Sequence, residues 1–218
     1  SDLNAILVTH EHSDHIKGVG VLSRRYDVPV YANELTWNSI GNNIGDISME
    51  NIKCFETATM FEICDLSIEP FPIPHDAGEP VGFNFYLGRR KITVATDIGH
   101  VDMELTGYME GSDLLLLEAN HDTEMLKVGP YPQWLKMRIL GERGHLSNET
   151  AGDVITAMAE KGTRNFLLGH LSRENNFPEL AYQTVCNALT EKGIDVGRDV
   201  SLDVVRRDQV GKVINIRG

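Results

Sequence analysis

The sequence predicts an α/β fold, a sandwich of sheets flanked by helices. Short apolar, β-branched runs alternate along the chain with stretches whose apolar residues recur at helical spacing. Several of those runs stop at a His or an Asp, which is how an open α/β sheet delivers side chains to the crevice beyond its strand ends. No repeat, low-complexity tract or linker divides the 218 residues, a length that suits a single domain, 1–218, with a sizeable core.

Taken in order, Ala5-Ile6-Leu7-Val8 makes a strand over 5–9, and the apolar spacing after it a helix over about 15–26. Strand 28–32 leads into helix 33–40, and 51–55 and 65–72 follow as strands. Residues 81–87 and 91–96 are two more, with Gly88-Arg89-Arg90-Lys91 between them reading as a hairpin turn. Helix 98–110, strand 113–117 and helix 132–140 come next. Ser147-Asn148-Glu149 caps a helix over 148–161, because a Ser oxygen can accept a backbone N–H left over in the first helical turn. Strand 165–169, helix 178–191 and strand 200–205 close the series. Since the chain opens at Ser1 with a strand almost at once, N-terminal strands are expected to precede it in the intact protein.

The net charge of −12 makes the surface repel nucleic acid unless a local basic feature offsets it. Residues 127–143 supply one: Lys127, Lys136, Arg138 and Arg143 stand against the single carboxylate of Glu142, with Tyr131 and Trp134 interleaved. Cations to hold phosphates beside rings to stack bases are what a single-strand binding site requires. The competing reading is an ordinary amphipathic helix with Trp134, Leu135 and Ile139 as core. Cys54, Cys64 and Cys186 are odd in number and lie in no CxxC pair, so reduced thiols are expected. No apolar run approaches the roughly 20 residues a bilayer needs, and no signal peptide opens the chain, so the expectation is a cytoplasmic protein with no membrane partner.

The chemistry is concentrated in Thr9-His10-Glu11-His12-Ser13-Asp14-His15, directly after the first apolar run. Three imidazoles and a carboxylate gathered on one short loop are metal ligands by type and spacing. His10 and His12 alternate and can reach one ion together; Asp14 and His15, carried round by the turn, can reach a second. Further along, His75 ends the run through Pro72-Ile73-Pro74, Asp97 ends Val94-Ala95-Thr96, and His170 ends Leu167-Leu168-Gly169. His100 and His121 lie near these in sequence and are expected at the surface or behind the ligands.

The ordered set His10-x-His12-x-Asp14-His15, His75, Asp97, His170 resembles the metallo-β-lactamase fold superfamily across essentially the whole chain. The resemblance implies an αββα sandwich. It assigns His10, His12 and His75 to one divalent metal ion and Asp14, His15 and His170 to a second, with Asp97 bridging both. The donors are all nitrogen and oxygen, which suits Mn²⁺, Zn²⁺ or Fe²⁺. Two such ions would activate a hydroxide between them for attack on phosphorus and stabilise the leaving oxygen.

Within the superfamily, the segment His75-Asp76-Ala77-Gly78-Glu79-Pro80 is similar to the third motif of the tRNase Z-like phosphodiesterases, and no glutathione-binding helical domain of the glyoxalase II type follows. Leu117-Glu118-Ala119-Asn120 and His145-Leu146-Ser147-Asn148 resemble two further motifs of that branch. By that likeness His145 is the general acid and Glu118 its orienting partner, while Arg173, after His170, faces substrate. Leu117 stands where the branch has His, and no exosite arm for tRNA is seen. The fullest match is to the YycJ/WalJ-type group, carried by Leu7–Gly18, Ala95-Thr96-Asp97-Ile98-Gly99, Leu115–Asp122 and Gly129-Pro130-Tyr131-Pro132. That group implies a metal-dependent nuclease acting on DNA rather than RNA, in the 5′ to 3′ direction. Catalysis then falls to His145, Glu118 and Asp97, and substrate binding to Arg173, Lys136, Arg138, Tyr131 and Trp134. The alternatives are a small-molecule hydrolase acting on a cyclic phosphodiester, thioester or lactone, and a non-catalytic regulator.

Overall fold

A computed structural model describes residues 3–216. The chain divides into two compact units, one running up to Pro72 and including Asp76–Leu87, the other comprising Ile73–His75 and everything from Gly88 on.

The first unit carries β1 (Ile6–Leu7), α1 (Ser13–Ile16), α2 (Val19–Tyr26), β2 (Val30–Ala32), α3 (Glu34–Ile40), β3 (Ile52–Cys54), β4 (Phe61–Ile63), β5 (Leu66–Pro72) and β6 (Val81–Leu87). Strands β1, β2 and β3 form a parallel sheet in that order, with Ile6 opposite Val30 and Val30 opposite Ile52. Strands β4, β5 and β6 pair antiparallel, Phe61 against Ile68 and Ile68 against Phe85. The helix expected over 15–26 is two helices, because Lys17-Gly18 interrupts it: glycine is a poor helix former and Gly18 serves as the residue that opens α2. Inside α2, Gly20 is required by space, since a Cβ there would stand 1.9 Å from the carbonyl oxygen of Ile44. Strand β4 is an element the sequence reading lacks; three residues are too few to show a period. Val8, Ile16, Val19, Val30, Ala32, Ile40 and Ile44 form one buried cluster, and Phe55, Ile68, Val81 and Phe83 a second.

The second unit carries β7 (Arg90–Ala95), α4 (Met103–Met109), β8 (Leu114–Glu118), α5 (Thr123–Val128), α6 (Gln133–Ile139), α7 (Asn148–Glu160), β9 (Asn165–Gly169), α8 (Pro178–Glu191) and β10 (Ser201–Val204). Strands β7, β8, β9 and β10 are parallel neighbours in that order. The all-leucine run of β8 is what a parallel strand buried on both faces needs: Leu115 and Leu117 are fully buried and Leu114 nearly so. Helix α7 begins where its cap was expected, the Ser147 hydroxyl accepting the N–H of Thr150, and it packs on α8 with Gly152 against Ala188. The helix expected over 98–110 starts only at Met103. Residues 98 and 99 are tied elsewhere, the Ile98 N–H to Glu118 and the Gly99 N–H to the Pro74 carbonyl, and Asp102 caps the helix instead. Helix α5, absent from the sequence reading, is capped by Asp122, whose side chain accepts the N–H of Met125. Among the described residues no helix is long and apolar enough to cross a membrane.

Candidate metal centre

In the first unit the loop after β1 and the start of α1 gather their imidazoles closely. The rings of His10 and His15 lie 4.1 Å apart and those of His10 and His12 4.6 Å apart. One hydroxyl, Thr9 Oγ1, hydrogen-bonds with Nδ1 of His10 at 3.1 Å and Nδ1 of His15 at 3.2 Å. A hydroxyl has two lone pairs, so it can accept both N–H groups at once, which fixes two neutral rings in the tautomer that presents Nε2 to a metal. His10 is buried; Asp14 is exposed, with its carboxylate 3.7 Å from His15 Nε2. His12 Nε2 lies 3.9 Å from Asp76. Glu11, between the histidines, accepts the Gly78 N–H at 2.8 Å and so pins the loop after His75. Sequence reasoning gave neither Thr9 nor Glu11 a role.

In the second unit, parallel pairing sets Ala95 opposite Leu117 and Glu118 opposite Gly169, so Asp97, Glu118 and His170 emerge side by side at the C-terminal ends of β7, β8 and β9. Ligating atoms of Asp97, Glu118, His145 and His170 all lie within 4.8 Å of one another. Asp97 Oδ1 is the hub, 3.4 Å from His170 Nε2, 3.8 Å from His75 Nε2 and 3.9 Å from His145 Nδ1. Glu118, fully buried, organises the rest. Its Oε1 accepts Nδ1–H of both His145 and His170 at 2.7 Å, and its Oε2 accepts the backbone N–H of Ile98 at 2.8 Å and of Leu146 at 3.2 Å. His75 Nδ1 meets the Gly144 carbonyl at 3.1 Å, and Arg143 Nε donates to the His75 carbonyl.

These contacts answer whether the residues suit a metal. Imidazoles whose Nδ1 is held by a carboxylate or carbonyl while Nε2 faces a carboxylate oxygen have the arrangement of metal-ligating histidines with their supporting partners. Asp97 and His170 also hold left-handed backbone at φ 63° and 53°, which no glycine relieves. Such conformations cost of order 1–3 kcal/mol and persist where the surroundings over-determine them, as at binding sites. Burial disfavours a charged Glu118, but the hydrogen bonds from His145 and His170, and then their charges, leave its carboxyl below the ordinary range. For His145, burial works against the imidazolium; the hydrogen bond and charge of Glu118, followed by Asp97, outweigh it and hold the group above its ordinary value.

The remaining expected residues range from exposed to buried. Trp134 is 67% exposed and Met137 62% exposed, and α6 buries none of its residues, so the core reading of Trp134 is corrected. Leu135 and Ile139 of the same helix are half-buried, so what apolar contact the helix makes is made by them and not by Trp134. Lys136 Nζ donates to the Lys127 carbonyl, Arg138 is exposed and Tyr131 half-buried. Arg173 is exposed just beyond His170. His100 is exposed, its Nδ1 2.9 Å from the Glu142 carbonyl. His121 is buried, and neither ring nitrogen has a hydrogen-bond partner among the described residues. Cys54, Cys64 and Cys186 are free thiols.

A model of the beta-lactamase superfamily domain matches residues 1–171. The chain belongs to that superfamily. It is 44% identical over 197 residues to Exodeoxyribonuclease YycJ of Bacillus anthracis, covering 90% of this chain and 75% of that one. It is 42% identical over 200 residues to Exodeoxyribonuclease WalJ of Streptococcus pneumoniae, covering 91% and 74%. Among solved structures, the metallo-β-lactamase fold protein YhfI from Bacillus subtilis matches with a TM-score of 0.66 at 15% identity, over 94% of this chain and 75% of that one. The α/β metallo-β-lactamase fold expected from the residue order is thereby borne out, and so is the relation to the YycJ/WalJ group.

Proposed function

We propose that this protein is a metal-dependent exodeoxyribonuclease that shortens DNA from its 5′ end. The observation that carries this reading is the identity above two-fifths, across nine-tenths of the chain, with two exodeoxyribonucleases. The site chemistry supports it. His10, His12, His75, Asp14, His15, Asp97 and His170 would hold two divalent ions, Mn²⁺, Zn²⁺ or Fe²⁺. When bound, such ions polarise the phosphodiester and lower the pKa of the attacking water.

The protein's own groups divide the remaining work. Glu118 accepts Nδ1–H of His145, which fixes the ring and favours its protonated form, so Nε2–H is the donor for the leaving oxygen. General acid help of this kind is typically worth about 10²–10⁴ in rate. Because the same oxygen of Glu118 holds His170, the acid and a metal ligand share one anchor. Trp134 offers an exposed ring on which a base can stack, and Lys136, Arg138, Tyr131 and Arg173 would contact the strand.

The test is a gel time course in Mn²⁺ on single- and double-stranded DNA labelled at the 5′ or 3′ end, with Asp97→Ala alongside. Immediate release of short 5′-labelled products, lost in the variant, is the expected result. Intact DNA in the presence of metal-loaded protein overturns the reading and moves small phosphodiesters and thioesters to the front.

A further inference from the structure

Beside His170 a groove of about 670 Å³ lies between the segment that follows β9 and the segment that follows β10. Three arginines line it, Arg173 from the first segment and Arg206 and Arg207 from the second, against one carboxylate, Asp208. In a chain of net charge −12 this is a local reversal of sign. The second segment, beyond the strand expected over 200–205, drew no functional expectation from its sequence.

The arginines are available to an anion to different degrees. Arg173 is exposed and makes no side-chain hydrogen bond or ion pair among the described residues. Arg206 Nη2 lies 3.2 Å from Glu179 Oε1, and Arg207 Nη2 donates to the Leu171 carbonyl at 3.0 Å. Each of those contacts fixes a guanidinium at one corner and leaves its other donors for an incoming phosphate. Phe177, 47% exposed at the start of α8, lines the same groove. Cations that track a backbone, with an aromatic face among them, are the two elements of a single-strand binding site.

We propose that this groove holds the DNA strand next to the nucleotide being cut, with phosphates on Arg173, Arg206 and Arg207 and a base against Phe177. The proposal rests on the exodeoxyribonuclease reading and extends it: one wall of the groove is His170 itself, so a strand lying here leads directly to the metal ligands. It also gives the strand a basic track at the end of β9, separate in sequence from the one on α6.

The experiment measures binding of a fluorescent single-stranded oligonucleotide, made cleavage-resistant by phosphorothioate linkages, to the Mn²⁺-loaded protein across a salt series. Cleavage of an ordinary oligonucleotide by wild type is read first. Each phosphate contact to a single strand contributes about 0.7 to the slope of log affinity against log salt. Arg173→Ala, which breaks no contact within the protein, is therefore expected to lower the slope by about 0.7, and Arg206→Ala with Arg207→Ala by about 1.4. Arg206→Lys with Arg207→Lys should restore most of the slope, a rescue that a merely structural role would not give. Phe177→Leu should weaken binding about tenfold with the slope unchanged, since stacking is not electrostatic. Unchanged slopes in Arg173→Ala and in the alanine pair, with wild type cutting DNA, overturn the groove and leave the nuclease reading standing. Failure of wild type to cut DNA overturns the nuclease reading, and the groove proposal falls with it.

Discussion

Glu118→Gln tests the anchor on which both halves of the catalytic reading depend. The substitution keeps size and one acceptor but replaces the other oxygen with an NH₂, and all four groups around Glu118 donate to it. If the amide oxygen faces His145 and His170, the NH₂ confronts the backbone N–H groups of Ile98 and Leu146. If it is turned over, the NH₂ confronts both Nδ1 atoms and drives both rings to the tautomer with hydrogen on Nε2. Each buried donor left without an acceptor costs about 1–3 kcal/mol, so the first orientation loses about 2–6 kcal/mol of stability. The second removes the metal-facing lone pair of His170, and losing a ligand's supporting partner typically lowers metal affinity about 10–100-fold. In that second orientation His145 loses its acceptor as well. The assay is metal affinity and urea unfolding for Glu118→Gln, His145→Ala and the double variant, with cleavage of 5′-labelled DNA. Glu118→Gln should lose more activity than His145→Ala, and should lower either urea stability (first orientation) or metal affinity (second orientation) where His145→Ala lowers neither to that extent. Equal activity losses in the two single variants, with metal affinity and urea stability unchanged in both, would refute the shared anchor and reduce Glu118 to a partner of His145 alone.

Asp97→Ala should fall below His145→Ala in DNA cleavage, because Asp97 faces three imidazoles whereas the general acid help proposed for His145 is typically worth only about 10²–10⁴ in rate; the reverse order in single-turnover assays counts against the hub. Asn176 is locked in a buried exchange, its Nδ2 donating to Asn148 Oδ1 and the Ala119 carbonyl while its Oδ1 accepts from Asn148 Nδ2 and the Phe177 N–H. Asn176→Ala strands several of these groups and should cost about 3 kcal/mol or more in denaturant unfolding, and a loss under 1 kcal/mol would show that water takes its place. For His121, burial depresses the pKa below its ordinary value despite the opposing charge of Glu118. Between the lowered native value and about 6.5 the unfolded chain holds more protons, so stability is lost as pH falls through 6.5, by up to about 1.4 kcal/mol per pH unit. His121→Phe should flatten that acid slope in melting experiments between pH 7.5 and 5, and parallel profiles for the two proteins would remove His121 from the account.

What the sequence made legible follows from how local each signal is. Strands 81–87 and 165–169 and helix 178–191 are found with the expected bounds, because a long apolar period with turn residues at its ends needs nothing from elsewhere in the chain. Strand β4 and helix α5 are too short to carry a period, and the close approach of Gly20 to the Ile44 carbonyl involves a residue 24 positions away. The candidate ligands were legible for a similar local reason: His10, His75, Asp97 and His170 each close an apolar run, and His12, Asp14 and His15 follow within five residues of His10. Their supports were not. Thr9 looks like any residue before a histidine, and Glu118 reaches His145 and His170 across 27 and 52 residues of sequence.

The parallel sheet is what turns those separate local signals into one site. Register alone decides that Glu118 stands opposite Gly169, one residue before His170, and that Ala95, two residues before Asp97, stands opposite Leu117. A slip by one residue would turn the whole side-chain set of a strand to its other face, so the fully buried Leu115 and Leu117 of β8 help to hold the carboxylate in place. The left-handed turns at Asp97 and His170 then complete what the strands begin. Each strand delivers its chain to the rim in extended form, and the reversal of φ at the next residues swings one side chain back toward its neighbours, bringing Asp97 Oδ1 to 3.4 Å from His170 Nε2. Backbone strain of about 1–3 kcal/mol at each position is offset by the packing of the strands behind it.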